Sequence, residues 1–266
     1  MIGVENLNVA YDGRYAVLDA TFRVRPGQIV GLAGPNGAGK SSLIQALMGL
    51  IDPENGHVQI NGVDRTQRAA FRRAAASIGY VPQKQNVAVG FPISVRDVVG
   101  MGQYGQLGLF GRRSAAQIKA VDDALALMDL TDLQDRQFAA LSGGQQQKTL
   151  VARALSQGAK MLVLDEPFRG VDIQSQQAIV HALKAHRANS GGVLLVHHGA
   201  AVLEELCDEL VLLNRQVVAH GSPSALLAQP ELAGLLHGEA MDHSADLLAA
   251  QPANQASTLR AMPLAS

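Results

Sequence analysis

Gly34-Pro35-Asn36-Gly37-Ala38-Gly39-Lys40-Ser41 fits G-x-x-x-x-G-K-[ST], a phosphate-binding loop, and constrains the fold more than any other stretch of the chain. An apolar segment, Ile29 to Ala33, runs straight into the first glycine. Leu43, Ile44, Leu47 and Met48 follow at helical spacing. The order is strand, glycine loop, helix, which is the context the motif requires. The glycines let backbone N–H groups turn inward onto phosphate oxygens. The helix N-terminus adds unpaired N–H groups and partial positive charge. Lys40 then reaches the β- and γ-phosphates, and the Ser41 hydroxyl, with Ser42 beside it, is placed to ligate Mg²⁺. An ordinary glycine turn would need neither Lys40 nor Ser41 in register, so the reading is nucleotide binding.

The remaining composition narrows the partners. The chain has 266 residues, 47% of them hydrophobic, enough for a sizeable core. A net charge of −1 creates no strong field toward nucleic acid. Aromatics at 4% and the lack of Trp argue against base-stacking platforms, so no nucleic-acid partner is expected. The single cysteine, Cys207, excludes an internal disulfide framework and suits a reducing compartment. It lies in the apolar stretch Leu203 to Leu213 and reads as a buried thiol. Glu5, Asp12 and Asp19 interrupt any signal-peptide pattern. No apolar run reaches the about eighteen residues of a membrane span, so a membrane role has to come through a partner.

Along the chain, Val4 to Tyr11 and Val17 to Val24 read as strands joined at Asp12-Gly13. His57 to Ile60 is a strand ending at Asn61-Gly62, and Ile78 to Val81 is another, stopped by Pro82. Residues 84 to 140 change character and read as a helical insert. Ser94 and Asp97 predict a capping box opening a helix to about Met101. A glycine-rich loop, Gly102 to Gly111, is expected next, then a helix from Ser114 to about Met128. Beyond the insert, strands and helices alternate: Met161 to Leu164, a helix from about Ser175, Val193 to Val196, a helix from about Ala200, and Leu210 to Leu213. That alternation predicts an α/β fold with a mostly parallel sheet and flanking helices. From about Met241 the periodicity is lost, and residues 237–266 read as a loosely held tail after a domain spanning 1–236. His237, Glu239, Asp242, His243 and Asp246 near it match no standard metal spacing and read as a solvated polar stretch.

Two further motifs carry chemistry. Met161 to Pro167 is an apolar strand ending in Asp165 and Glu166, at the sheet edge where ligands of α/β folds bind. Asp165 is expected to hold Mg²⁺. Strand alternation is expected to send Glu166 elsewhere, where it polarises the attacking water. Leu141-Ser142-Gly143-Gly144-Gln145 is a second glycine loop opening a helix, so one chain carries two anion-binding helix N-termini.

Gly34 to Ser42, Leu141 to Lys148 and Met161 to Pro167, in this order, resemble the ATP-binding subunit of ABC transporters. Leu-Ser-Gly-Gly-Gln is that family's signature, and the resemblance covers residues 1 to about 235. It implies a P-loop NTPase core with an N-terminal antiparallel β portion and the helical insert. It implies ATP with Mg²⁺ as cofactor, hydrolysis of that ATP, and a homodimer of two such subunits paired head to tail. Each ATP would lie between the phosphate loop of one copy and Leu141, Ser142, Gly143, Gly144 and Gln145 of the other. A transmembrane permease and, through it, an extracytoplasmic substrate-binding protein are the implied partners, with this subunit peripheral on the cytoplasmic face.

The resemblance also assigns individual positions. Tyr11 falls where the adenine-stacking aromatic lies. Gln83 matches the glutamine that contacts Mg²⁺ and water and senses the permease, and Asp172 the aspartate that contacts the opposite subunit. Of His197 and His198, one touches the γ-phosphate and orders the glutamate. His198 is assigned, as the residue before the Asp in His-His-Asp variants. Gly199 replaces that Asp, so His197 stays as the alternative, and the other histidine reads as a strand-end cap. Arg169 departs from the small residue usual at its position. Gly90 to Val99, Met101 to Gly105, Ser142 to Lys148 and the His-His pair resemble the subfamily importing manganese, zinc or chelated iron. The alternatives are a soluble ABC-type ATPase without a membrane partner and an importer of a non-metal substrate. Repair-type chains carry a long coiled-coil insertion and translation-type chains usually two nucleotide modules, and neither feature is present.

Overall fold

A computed structural model describes residues 1–83, 92–107 and 111–236 of the chain. The N-terminal hairpin pairs β1 (Ile2–Tyr11) with β2 (Arg14–Val24). Its turn residues Asp12 and Gly13 have φ of 49° and 74°, the sense that matches the twist of the strands. β3 (Ile29–Ala33) leads through the phosphate loop into α1 (Lys40–Leu47). Next come β4 (Asn55–Ile60), β5 (Val63–Asp64), α2 (Arg68–Ala76) and β6 (Gly79–Val81). The insert carries α3 (Val95–Gly100) and α4 (Ala115–Leu127). The alternating half follows as α5 (Gly143–Ser156), β7 (Met161–Asp165), α6 (Ile173–Ala188), β8 (Gly192–Val196), α7 (Ala200–Leu206) and β9 (Glu209–Asn214). Three elements not anticipated from the sequence come last: β10 (Gln216–Gly221), α8 (Pro223–Leu227) and α9 (Pro230–Leu236).

The strands form two sheets. The larger has the order β10-β9-β3-β8-β7-β6, parallel throughout except for β10 at its edge. The smaller, β2-β1-β4-β5, is antiparallel. Both faces of the larger sheet are covered. Ile29, Leu162, Leu164, Val193, Leu195, Leu210 and Leu212 pack among the helices on one side. Val30, Leu32, Val163, Leu194, Val196, Val211 and Leu213 meet α1 and the antiparallel sheet on the other. Burial on both faces explains the uninterrupted Val, Ile and Leu runs of β3, β7 and β8. Each such side chain stabilises the fold by about 1.5–3 kcal/mol. Cys207 is buried as expected, and burial with Asp208 beside it pushes its thiol up to about 12.

The insert differs from its sequence reading in two places. Ser94 caps α3 by accepting from Asp97 N, but the reciprocal half of the box is missing. The Asp97 carboxylate accepts instead from the Ser94 hydroxyl at 2.6 Å, because it is one methylene shorter than the Glu or Gln that reaches the backbone. Met101–Gln106 is a 3₁₀ turn and not the start of an open glycine loop. Gln103 holds it in place: its buried Nε2 donates to Gln117 O at 2.7 Å and to Ser156 O at 3.0 Å. Ser114 caps α4 with a complete capping box through Gln117. Residues 237–266, including His237 and His243, lie outside the described residues, as do Gly90 and residues 108–110 of the expected glycine loop.

Candidate active site

β3 lies near the middle of the larger sheet, and the phosphate loop leaves its carboxyl end. Gly34, Gly37 and Gly39 have φ of 150°, 81° and 95°. A Cβ on Gly34 would sit 1.9 Å from Leu213 O, and one on Gly39 would sit 2.2 Å from Ala16 O, so neither position admits a side chain. The loop is braced from behind. Arg215 N, in the β9–β10 turn, donates to Ala38 O at 2.9 Å, while Leu18 N of β2 donates to Arg215 O at 2.7 Å. Lys40 Nζ donates to Gly34 O at 2.7 Å and Pro35 O at 2.8 Å, which holds the ammonium over the loop.

The loop forms one wall of a cleft of about 740 Å³. Every residue from Gly34 to Ser42 lines it, and Gln83, Asp165, Glu166 and His198 complete the ring of assigned positions. Ala16, Arg169 and Leu236 also line it. The Arg169 departure therefore adds a guanidinium to a phosphate-binding cleft, a consequence that sequence alone leaves unread.

Asp165 ends β7. Burial and the neighbouring Glu166 push its carboxyl up to about 6, against the opposing pull of Lys40. Burial lowers the Lys40 ammonium, while Glu166 and Asp165 favour its charge. Strand alternation does not govern Glu166. The strand stops at Asp165, and Glu166 takes the left-handed conformation with φ of 52°. That kink turns both carboxylates into the same cleft, correcting the expectation that they diverge.

Glu166 is held by both histidines. His197 Nδ1 lies 3.0 Å from Oε2, and His198 Nδ1 lies 2.9 Å from Oε1. A carboxylate only accepts, so each imidazole donates. Burial works to raise the Glu166 carboxyl, but the two imidazole hydrogen bonds outweigh it and keep it below its usual value. His198, with its side chain 60% exposed, faces the cleft. His197 is buried against the edge of the Phe168 ring, 5.2 Å between centroids. His197 is thus a second partner of Glu166 and not a strand-end cap.

Three assigned groups lie apart from the lining of this cleft. Ser142 caps α5 by accepting from Gln145 N at 3.3 Å, and Gln145 Oε1 accepts from Ser142 N at 3.1 Å. None of Leu141 to Gln145 lines the cleft of its own chain, among the described residues. Asp172 caps α6, accepting from Ser175 N at 2.9 Å. Tyr11 is half exposed at the end of β1, and its hydroxyl donates to Gln45 Oε1 of α1 at 3.3 Å, outside the cleft lining.

A family profile described as ABC transporter matches residues 17–169. This chain belongs to the ABC transporter family. It is 39% identical over 220 residues to the manganese transport system ATP-binding protein MntB of Listeria innocua, covering 83% of this chain and 89% of that protein. It is 38% identical to the zinc transport system ATP-binding protein TroB of Treponema pallidum, covering 83% and 81%. Among solved structures, an ATP-binding subunit of an ABC transporter superposes with a TM-score of 0.75 at 27% identity, covering 88% of this chain and 95% of that one. The ABC-type ATP-binding fold is the one described above, a P-loop NTPase core with an antiparallel N-terminal sheet. No helix among the described residues is long and apolar enough to cross a membrane.

Proposed function

We propose that two copies of this chain form the ATPase of an importer for a divalent metal ion or metal chelate, docked on the cytoplasmic face of a transmembrane permease. An extracytoplasmic substrate-binding protein delivers the cargo to that permease. The observation that carries the ATPase reading is the single cleft joining Gly34–Ser42, Gln83, Asp165, Glu166 and His198. The metal cargo rests on relatives named for manganese and zinc transport.

Lys40 and the loop N–H groups bind the β- and γ-phosphates. Ser41, Asp165 and Gln83 would hold Mg²⁺, an all-oxygen set that fits a hard cation, and the ion would supply neutralisation of phosphate charge. Glu166 accepts a hydrogen bond from the attacking water, and the histidines fix its carboxylate. Tyr11 stacks on adenine. Ser142 of the partner copy closes the site on the γ-phosphate, which accounts for a signature loop outside its own chain's cleft.

Glu166→Gln tests both halves of this reading. The amide keeps the shape but cannot act as base, so hydrolysis is expected to fall at least about 10²-fold while ATP binding persists. In cells lacking the gene, the wild-type chain restores manganese or zinc uptake and the variant does not. Retained hydrolysis would sink the role of Glu166. A deletion without any metal-uptake defect would sink the cargo.

A further inference from the structure

The catalytic carboxylate and the two imidazoles around it form a ligand set of their own. Glu166, His197 and His198 each present one donor atom, and these atoms lie within 4.8 Å of one another. His197 Nδ1 and His198 Nδ1 approach opposite oxygens of the same carboxylate at 3.0 and 2.9 Å. Donors bound to one ion at about 2.0–2.2 Å stand roughly 3–3.5 Å apart, so the cluster needs only a small closing movement. Two imidazoles and one carboxylate suit a borderline divalent transition metal, whereas Mg²⁺ prefers oxygen donors.

The surroundings give this set an inner wall and an open side. Phe168 holds the buried His197 ring edge-on at 5.2 Å. A Cβ on residue 199 would sit 2.8 Å from His197 Nε2, so Gly199 leaves that ring its room. His198 is exposed and lines the cleft, which gives an ion its way in. Each Nδ1 is freed by moving its proton to Nε2, a tautomer change that leaves the ring neutral.

We propose that Glu166, His197 and His198 form an inhibitory site for a borderline divalent transition metal, Zn²⁺ more tightly than Mn²⁺, separate from the Mg²⁺ donors Ser41, Asp165 and Gln83. An ion held there engages the carboxylate that the attacking water needs. Lys40 and the phosphate loop are not part of the cluster, so ATP still binds. The order of metals follows the general stability series for such donors. On the import reading above, on which this clause rests, the site lets accumulated cargo stop its own uptake.

The test begins with the full-length, nucleotide-free chain and Co²⁺ as a visible-absorbing probe. The wild type is expected to give a ligand-field band that Zn²⁺ abolishes. His198→Gln, at an exposed position, and Glu166→Gln are each expected to weaken Co²⁺ binding by at least about tenfold, the cost of losing even an outer-shell partner. No band in the wild type would mean that the cluster is a hydrogen-bond network only. A band unchanged in both variants would place the metal elsewhere. Either outcome overturns the proposal. At saturating Mg-ATP, buffered free Zn²⁺ is expected to lower kcat without raising KM. A raised KM that excess Mg²⁺ restores would identify displacement of Mg²⁺ and would also overturn it. These readouts do not depend on cargo, so a failed uptake assay leaves them standing.

Discussion

Asp165 is a buried carboxylate whose chain neighbour, Glu166, is also a carboxylate, and the two oppose each other at neutral pH. The sign of the consequence follows from the shift. The Asp165 carboxyl titrates at about 6 in the folded chain against 3.8 in an exposed one, so the fold binds its proton more tightly. Stability therefore falls as pH rises from about 4 through 6, and the whole penalty is present at pH 7. Asp165→Asn is expected to raise the melting temperature of the nucleotide-free chain at pH 7, with the gain vanishing near pH 4. Thermal unfolding by circular dichroism at both pH values checks this, and a variant that melts lower at pH 7 would contradict it. Lys40, Ser41 and Asp165 were legible in the sequence because each sits in a motif contiguous along the chain. The grip on Glu166 was read only in half: the resemblance gave one histidine that orders the glutamate, and the second contact was not foreseen. It depends on β7–β8 pairing, in which Asp165 sits opposite Val196 and so brings Glu166 beside His197 and His198, 31 and 32 positions later.

At the scale of elements, α5 and α6 meet at their N-termini. A Cβ on Gly144 would lie 2.3 Å from Asp172 Oδ2 and 2.8 Å from Ser175 Oγ. The cap of α6 therefore fills the space beside the signature loop, and the glycine at 144 is the residue that fits there. Asp172→Ala removes one helix cap and is expected to cost about 1 kcal/mol. Gly144→Ala is expected to cost more in the wild type than in the Asp172→Ala background, where the nearer of the two obstructions is gone. Urea denaturation of the four proteins measures the coupling, and strictly additive costs would rule it out. That Leu141 to Gln145 opens a helix was legible because the capping box of Ser142 and Gln145 lies within four residues. The packing of Gly144 on Asp172 links positions 28 apart and leaves no local trace. β10 was missed for a related reason: its side chains are half buried, so neither a continuous apolar run nor a clean alternation marks it.

For the whole molecule, the decisive feature is a signature loop that does not line the cleft of its own chain. In the proposed homodimer, Ser142 serves the ATP held by the partner's phosphate loop. Two inactive variants should then complement each other. Lys40→Ala in one copy and Ser142→Arg in the other put both defects into one composite site. The second site keeps an intact phosphate loop and an intact signature loop. If each chain used its own two loops, both sites of the mixed dimer would be damaged. Arg is chosen because it fills the space before the γ-phosphate, whereas Ser142→Ala removes a hydrogen bond of only about 1 kcal/mol. ATP bound per mixed dimer, read by equilibrium dialysis, is a safer measure than turnover, since two sites that hydrolyse in concert would both fall silent. One ATP per mixed dimer is the expected result. None would mean that each chain completes its own site, and α5 would then have to swing toward the cleft within a single chain.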